Sequence, residues 1–325
     1  MLQGKQLILA TKPFAKETPW KSWYYTLTTA AILTGLFACV AFIPFLPVRI
    51  LCSILCGLVM VRMFVIYHDY QHHTILHKSK LARILFSVYG VFILAPASIW
   101  KRSHDHHHAH NSKLFTASIG SYPIMTKQKF LESTPEERRA YLTQRHPLTI
   151  LFGYSSMFLV GMCYRSFKSS PSRHYDSLLA IVFHAAAATL IFIYMGWLSL
   201  LLLLVIPFFL ACAIGAYLFY AQHNFPGVTF RDKEGWCHEN AAMDSSSYMA
   251  MNPFWNWVTG NIGYHHIHHL NSRIPFYRLP EIMKAIPELQ AAKTISFTPA
   301  MIVACLKLKV WNPDVNAMVD LKGLV

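Results

Sequence analysis

The chain has 325 residues, 54% of them apolar or aromatic and 14% charged, with a mean hydropathy of +0.33. An average soluble domain is about 25% charged, so these values exclude a disordered chain and a disulfide scaffold, argue against an ordinary soluble enzyme, and fit an integral membrane protein. Lysine and arginine outnumber aspartate and glutamate 29 to 15, but no basic block, zinc finger, RNP or helix-turn-helix pattern accompanies the excess, which points to a membrane surface rather than nucleic acid.

Residues 1–23 carry Lys5, Lys12, Lys16 and Lys21 around a short apolar LILA, with no small-residue cleavage site. No cleavable signal peptide is expected, and the first long apolar run is expected to stay as an anchor. That run, 22–48, is uncharged for 27 residues. About 20 suffice to cross a hydrocarbon core, so a first span is predicted over about 24–46, ending near Pro44 and Pro47. A second follows over 50–67, with Arg62 as its one charge. Arg62 is expected to snorkel to the interface or to pair with Asp69. Segments 84–100 and 146–164 are uncharged but short for spans. The 54 uncharged residues of 177–230 hold room for two spans, 177–195 and 198–220, around a hairpin tip at Met195-Gly196-Trp197. The seven cysteines are scattered and form no CxxC pair, so they read as small hydrophobes rather than disulfides.

The 18 histidines are the second anomaly. Most crowd into His68-Asp-Tyr-Gln-His72-His73, His104-Asp-His106-His107-His108-Ala-His110 and His265-His266-Ile-His268-His269. In the second and third groups HxxHH puts imidazoles at i, i+3 and i+4, on one helical face. His68 and His72 are one turn apart. A lone His223 follows the last apolar run. Packed imidazoles repel when protonated and leave ring nitrogens unsatisfied when buried. Metal binding resolves both problems. His73, His106, His110 and His266 are secondary candidates; His77, His146, His174, His184 and His238 are expected to be structural. His184, inside a span, is expected to be neutral and bonded to a backbone carbonyl. The clusters lack cysteine, HExxH and the Glu-x-x-His pattern of soluble di-iron bundles. Eight or nine imidazoles fit two metal ions.

HDYQHH at 68–73, WKRSHDHHHAH at 100–110 and GNIGYHHIHHLNSRIPFYRLPE at 260–281 resemble, in order and spacing, the three histidine boxes of the membrane fatty acid desaturase family, in its acyl-lipid Δ12/ω-like branch. The similarity spans roughly 24–285. It implies a non-haem di-iron centre that uses O2 and two electrons to introduce a cis double bond into an acyl chain. Carried over by position, the implied ligands are His68, His72, His104, His107, His108, His223, His265, His268 and His269, with His73 an alternative to His72. After His223 the chain reads Asn224-Phe-Pro-Gly, where many relatives place a glutamate after the phenylalanine. Asp69, Asp105, Asn240 and Asn261 are candidates to support the ligands, and Phe254, Trp255 and Trp257 to line an acyl slot. The substrate implied is an acyl lipid or acyl thioester. With no fused redox pattern, an external ferredoxin or cytochrome b5-like donor is implied. Related di-iron hydroxylases and ketolases of lipids, alkanes or carotenoids share the box plan and are the alternative. A metal transporter or sensor is disfavoured, because the spans hold only Arg62 and His184 as ionisable groups.

If all clusters meet at one site, they lie on one side of the membrane. The expected fold is then an all-α membrane protein of a single domain over 1–325. It has four spans, an interfacial or re-entrant segment at 84–100, an interfacial segment at 146–164, and a cap carrying the histidine-rich site. Of 29 Lys and Arg, 27 fall in 1–23, 68–176 and 221–325. The positive-inside rule puts the site and both termini on the cytoplasmic side.

Overall fold

The protein is described by a computed structural model covering residues 2–116 and 118–324, and it is mostly helical. Helix α1 (Pro19–Phe42) begins with Pro19 in its first turn, where a missing N–H costs nothing. Ser22, Thr26, Thr29 and Leu33 recur every three or four residues on its buried face. Thr26 Oγ1 donates back to the Ser22 carbonyl at 2.8 Å. Small residues on that stripe let α1 lie against α2 (Leu46–Gln71). Trp20, Tyr24, Leu27 and Ile32 point outward, exposed. Helix α2 outlasts its apolar run, so His68 and Asp69 sit in its last turn and His72 caps it.

Arg62 neither snorkels nor pairs with Asp69. It is buried, donates to the Trp257 carbonyl and to Thr29 Oγ1, and lies 4.6 Å from the Trp257 ring centre. Packing from the third-box region, far away in sequence, decides this.

Two helices, α3 (Lys80–Phe92) and α4 (Ala97–Ala109), meet at 90° within the stretch 84–100 that was expected to be interfacial or re-entrant. The corner is held by Tyr67, whose hydroxyl donates to the Ala95 carbonyl at 2.8 Å. Asp176 fixes the start of α4: its Oδ2 accepts the Ser98 N–H at 3.0 Å, and a carboxylate suits a helix N-terminus. The wide, π-type helix α5 (Tyr154–Tyr164) buries Phe158 and Cys163 and exposes Val160 and Tyr164.

The apolar stretch Tyr175–Ala221 would be about 70 Å long as a straight helix. It is not straight. Helix α6 (Tyr175–Leu200) is interrupted at Gly196, whose φ of 78° and ψ of 174° only glycine adopts readily. The chain then passes through a π turn into α7 (Ile206–Ala221). His184 and Phe208 lie equally far from Gly196 in sequence, and their ring centres are 4.7 Å apart. The chain therefore doubles back. His184 Nε2 is 2.9 Å from the Phe92 carbonyl, the bond expected of it, and Nδ1 is 3.1 Å from the Tyr154 hydroxyl. One imidazole thus ties α6 to α3 and α5. Gly57 on α2 leaves room for α7: a Cβ there would sit 2.9 Å from the Pro207 carbonyl.

By length and composition α1, α2 and Tyr175–Ala221 can cross a membrane, and the bent α3–α4 pair would qualify if it were one span. The exposed aromatic and aliphatic side chains of α1 and α6 far exceed what a water-facing surface tolerates.

The all-α expectation needs one correction. Tyr248–Ala250 pairs in parallel with Thr294–Ser296, and Val310–Asn312 pairs antiparallel with Ala317–Val319. Strands this short carry no period in sequence. The first is functional scaffolding: Met249 N–H donates to the Gly263 carbonyl at 2.7 Å. That contact sets the entry to α8 (His265–Leu270), the helix of the third cluster.

Candidate metal centre

Nine histidines converge from four segments into two adjacent groups. His68, His72, His104, His108 and His268 form one; His107, His223, His265 and His269 form the other. Within each group the ligand atoms lie within 4.8 Å of one another. All nine residues named by position in the sequence are brought together. Helical spacing does the local work: on α4, His104 and His108 face one group while His107 faces the other.

In the second group the Nε2 atoms close a ring: His107–His223 is 3.1 Å, His223–His265 3.0 Å, His265–His269 3.1 Å and His269–His107 3.2 Å. Four nitrogens with such edges lie roughly 2 Å from a common centre, the length of a metal–imidazole bond. In the first group His68–His104 is 2.9 Å, and His104–His108 and His108–His268 are each 3.1 Å.

The ring tautomers agree with metal binding. His223 Nδ1 is 3.0 Å from the Ser245 carbonyl and donates to it, which leaves Nε2 as a bare lone pair aimed at its neighbours. His68 Nδ1 faces Asp69 Oδ1 at 3.3 Å, which likewise frees Nε2. Asp69 is held in turn by the Phe276 N–H at 2.7 Å. Such outer partners fix ring orientation at metal sites. His72 Nε2, His265 Nδ1 and His269 Nδ1 are buried without hydrogen-bond partners. Burial, with neighbouring imidazoles adding repulsion, holds His104, His107, His108, His265, His268 and His269 well below the ordinary histidine pKa. His223 is lowered to about 4 by burial. Buried neutral imidazoles with converging lone pairs are a donor set for a cation, and the residues present fit two metal ions.

The other candidates separate cleanly. His73 is exposed, at φ 56°, and its ring packs near His77, so His72 is the residue that enters the cluster. His106 and His110 stack on each other at 4.0 Å outside both groups. His266 is buried against Tyr248. His174 bonds Ser98, His146 caps a helix through Leu148, and His238 meets the Leu270 carbonyl. The exposed Asp105 pairs with Lys101, and the Asn261 side chain donates to the Phe276 carbonyl, so neither supports a ligand. Asn240 makes no contact that would assign it such a role.

An apolar slot of about 390 Å³ opens onto the histidines. Val61, Phe64 and Val65 of α2, Ile99 and Trp100 of α4, and Met157 and Phe158 of α5 are among its walls, and so are His68, His104 and His265. Phe254, Trp255 and Trp257 do not line it. Trp257 covers Arg62 and Trp255 packs on Phe297.

Sequence reasoning missed Ser245 and Arg145. Arg145 is fully buried and donates to Asn224 Oδ1 and to the Pro123 carbonyl, locking the residue after His223. Asn224 in turn donates to the Cys305 carbonyl at 2.8 Å. An arginine in a polar stretch gives no signal of such burial.

Two all-imidazole nests beside an apolar slot, on a scaffold that exposes apolar helices, define a membrane metalloprotein acting on apolar molecules. The sequence profile of the fatty acid desaturase family matches residues 44–299, and the chain belongs to that family, whose members are oxidoreductases. It is 32% identical to a fatty acid desaturase of Bacillus subtilis, over 82% of this chain and 75% of that protein. It is 25% identical to a chloroplastic omega-6 fatty acid desaturase of Glycine max, over 83% of this chain and 62% of that longer protein. With an sn-1 oleoyl-lipid 12-desaturase of Picosynechococcus it shares 23% identity over 83% and 78% of the two chains.

Proposed function

We propose that the chain introduces a cis double bond into the acyl chain of a membrane lipid or acyl thioester, using O2 and two electrons at a pair of iron ions. The observation that carries this reading is the slot, which is lined by histidines of both groups. His68, His72, His104, His108 and His268 would hold one ion, and His107, His223, His265 and His269 the other. When bound, ferrous iron supplies the O2 chemistry that removes hydrogen from two adjacent methylenes. The remaining work belongs to the chain. The slot walls hold the methylenes against the centre and keep water away from them. Asp69 and the Ser245 carbonyl fix the rings of His68 and His223.

The electrons come from a separate one-electron carrier of ferredoxin or cytochrome b5 type; the basic excess suits an acidic partner. Turnover indifferent to ionic strength would count against that docking. The topology that fits has four spans, α1, α2 and the two arms around Gly196, with α3, the start of α4 and the segment 146–164 at the interface. The site and both termini then face the cytoplasm, as the distribution of basic residues favours.

The test is expression in a bacterial host with a ferredoxin system and fatty acid profiling by gas chromatography–mass spectrometry, with His268→Ala as control. New unsaturated acids, lost in the variant, are expected. Oxygenated products in their place would overturn desaturation in favour of hydroxylation. Folded protein that binds zinc and no iron would overturn the di-iron assignment.

A further inference from the structure

Two cavities touch the histidines, each lined by a different subset of them. One is the apolar slot, which touches His68, His104 and His265. The other is a cleft of about 40 Å³ with a mixed lining, more polar than the slot's, in which His106, His110, Asn111 and Lys113 stand with Leu114 and Ile119 and which touches His107 and His223. A few waters fit a space of that size. Among the described residues the two cavities share Ser121, Tyr122 and Phe219. The Phe219 ring centre lies 5.2 Å from His107 and 6.3 Å from His104, so it bridges both histidine groups. It is 6.4 Å from Tyr122, which packs edge-on against Tyr220 at 5.0 Å and reaches Met157 Sδ in the slot at 3.5 Å.

Desaturation balances as RCH2CH2R + O2 + 2 e− + 2 H+ → RCH=CHR + 2 H2O. Protons must enter and water must leave, which an apolar slot cannot support. The methylenes must meanwhile stay dry. We propose that Tyr122 and Phe219 form the partition between a water-carrying cleft and a dry acyl slot. Phe219 is then a specificity-determining residue that commits reducing equivalents and O2 to the substrate. The proposal rests on the desaturase reading. Without the ring, water enters the slot and the acyl chain loses its wall. O2 is then reduced without the substrate, as O2 + 2 e− + 2 H+ → H2O2, with electrons from the same one-electron carrier.

The first test measures O2 consumed and peroxide released per double bond formed. It uses the iron-loaded full-length protein and its Phe219→Ala, Tyr122→Ala and Phe219→Leu variants. The alanine variants are expected to raise the ratio at least about threefold at unchanged iron content, while leucine, which keeps the bulk, stays near the parent value. An unchanged ratio in both alanine variants overturns the proposal. Phe219→Val carries the same test if the alanine variants do not fold.

The second test needs no turnover. A spin-labelled stearate is seated in the zinc-loaded protein, and its collisions with aqueous chromium oxalate are measured. Phe219→Ala is expected to increase them at least about twofold; equal accessibility overturns the partition. Parent protein that binds iron but forms no double bond would sink the desaturase reading alone, leaving the spin-label result to judge the partition.

Discussion

Two of the nine clustered histidines, His68 and His223, have a neighbour that controls the second nitrogen. Replacing Asp69 with asparagine keeps the shape and removes the carboxylate that faces His68 Nδ1. Metal affinity is expected to fall about 10- to 100-fold, read by competition with a chelator, with helicity unchanged. His268→Ala is expected to abolish turnover and lower bound iron. Acid also acts at this scale. His223 and His266 sit near pKa 4 in the fold and near 6.5 when unfolded. Between those values the unfolded chain binds more protons, so stability falls as pH drops through that window and is fully present above it. Thermal unfolding of metal-free protein at pH 7.5 and pH 5 checks this; an equal or higher melting temperature at pH 5 would contradict it. Eight of the nine converging histidines were legible in sequence, because helical spacing is a local signal, whereas the lone His223 was named only through the family resemblance. Their supporters were only partly legible. Asp69 adjoins a ligand in the chain, whereas the Ser245 carbonyl and Arg145 reach the site through folding alone.

At the level of elements, the close α2–α7 contact depends on Gly57. A Cβ there would press on the backbone of Pro207 and on Leu210 Cβ, both at 2.9 Å. Gly57→Ala is therefore expected to cost about 1–3 kcal/mol, seen as a lower unfolding temperature in detergent. Apolar run length and the Gly196 tip were readable because hydrocarbon thickness and glycine's backbone freedom leave marks in sequence. The α3–α4 corner was not. It depends on Tyr67 reaching Ala95 and on Asp176 capping α4, contacts between residues far apart in the chain. The aromatic residues before the third box were misplaced for the same reason: tryptophan covers a buried arginine as readily as it lines a slot.

For the whole molecule, the two histidine groups join α2, α4 and the end of α7 to α8. Occupied nests would bind the folded state and not the unfolded one, so chelation is expected to lower the melting temperature of iron-loaded protein and re-addition of iron to restore it. Topology is testable at the same scale. A cysteine introduced at Trp197, in a variant lacking the native cysteines, is expected to react with membrane-impermeant maleimide added outside intact cells. One introduced at Lys322 is expected to stay protected. Labelling at Lys322 with protection at Trp197 would reverse the proposed orientation, and labelling of both would contradict their placement on opposite sides.

The nine histidines are spread from His68 to His269, and each nest draws on the last cluster as well as on earlier ones. During synthesis, the first group is complete only once His268 is made and the second only once His269 is made. A nascent polypeptide whose apolar helices have already entered the bilayer therefore cannot assemble a competent redox centre. A product truncated before the third cluster would lack part of both groups, and it is expected to bind no metal pair and to consume no oxygen.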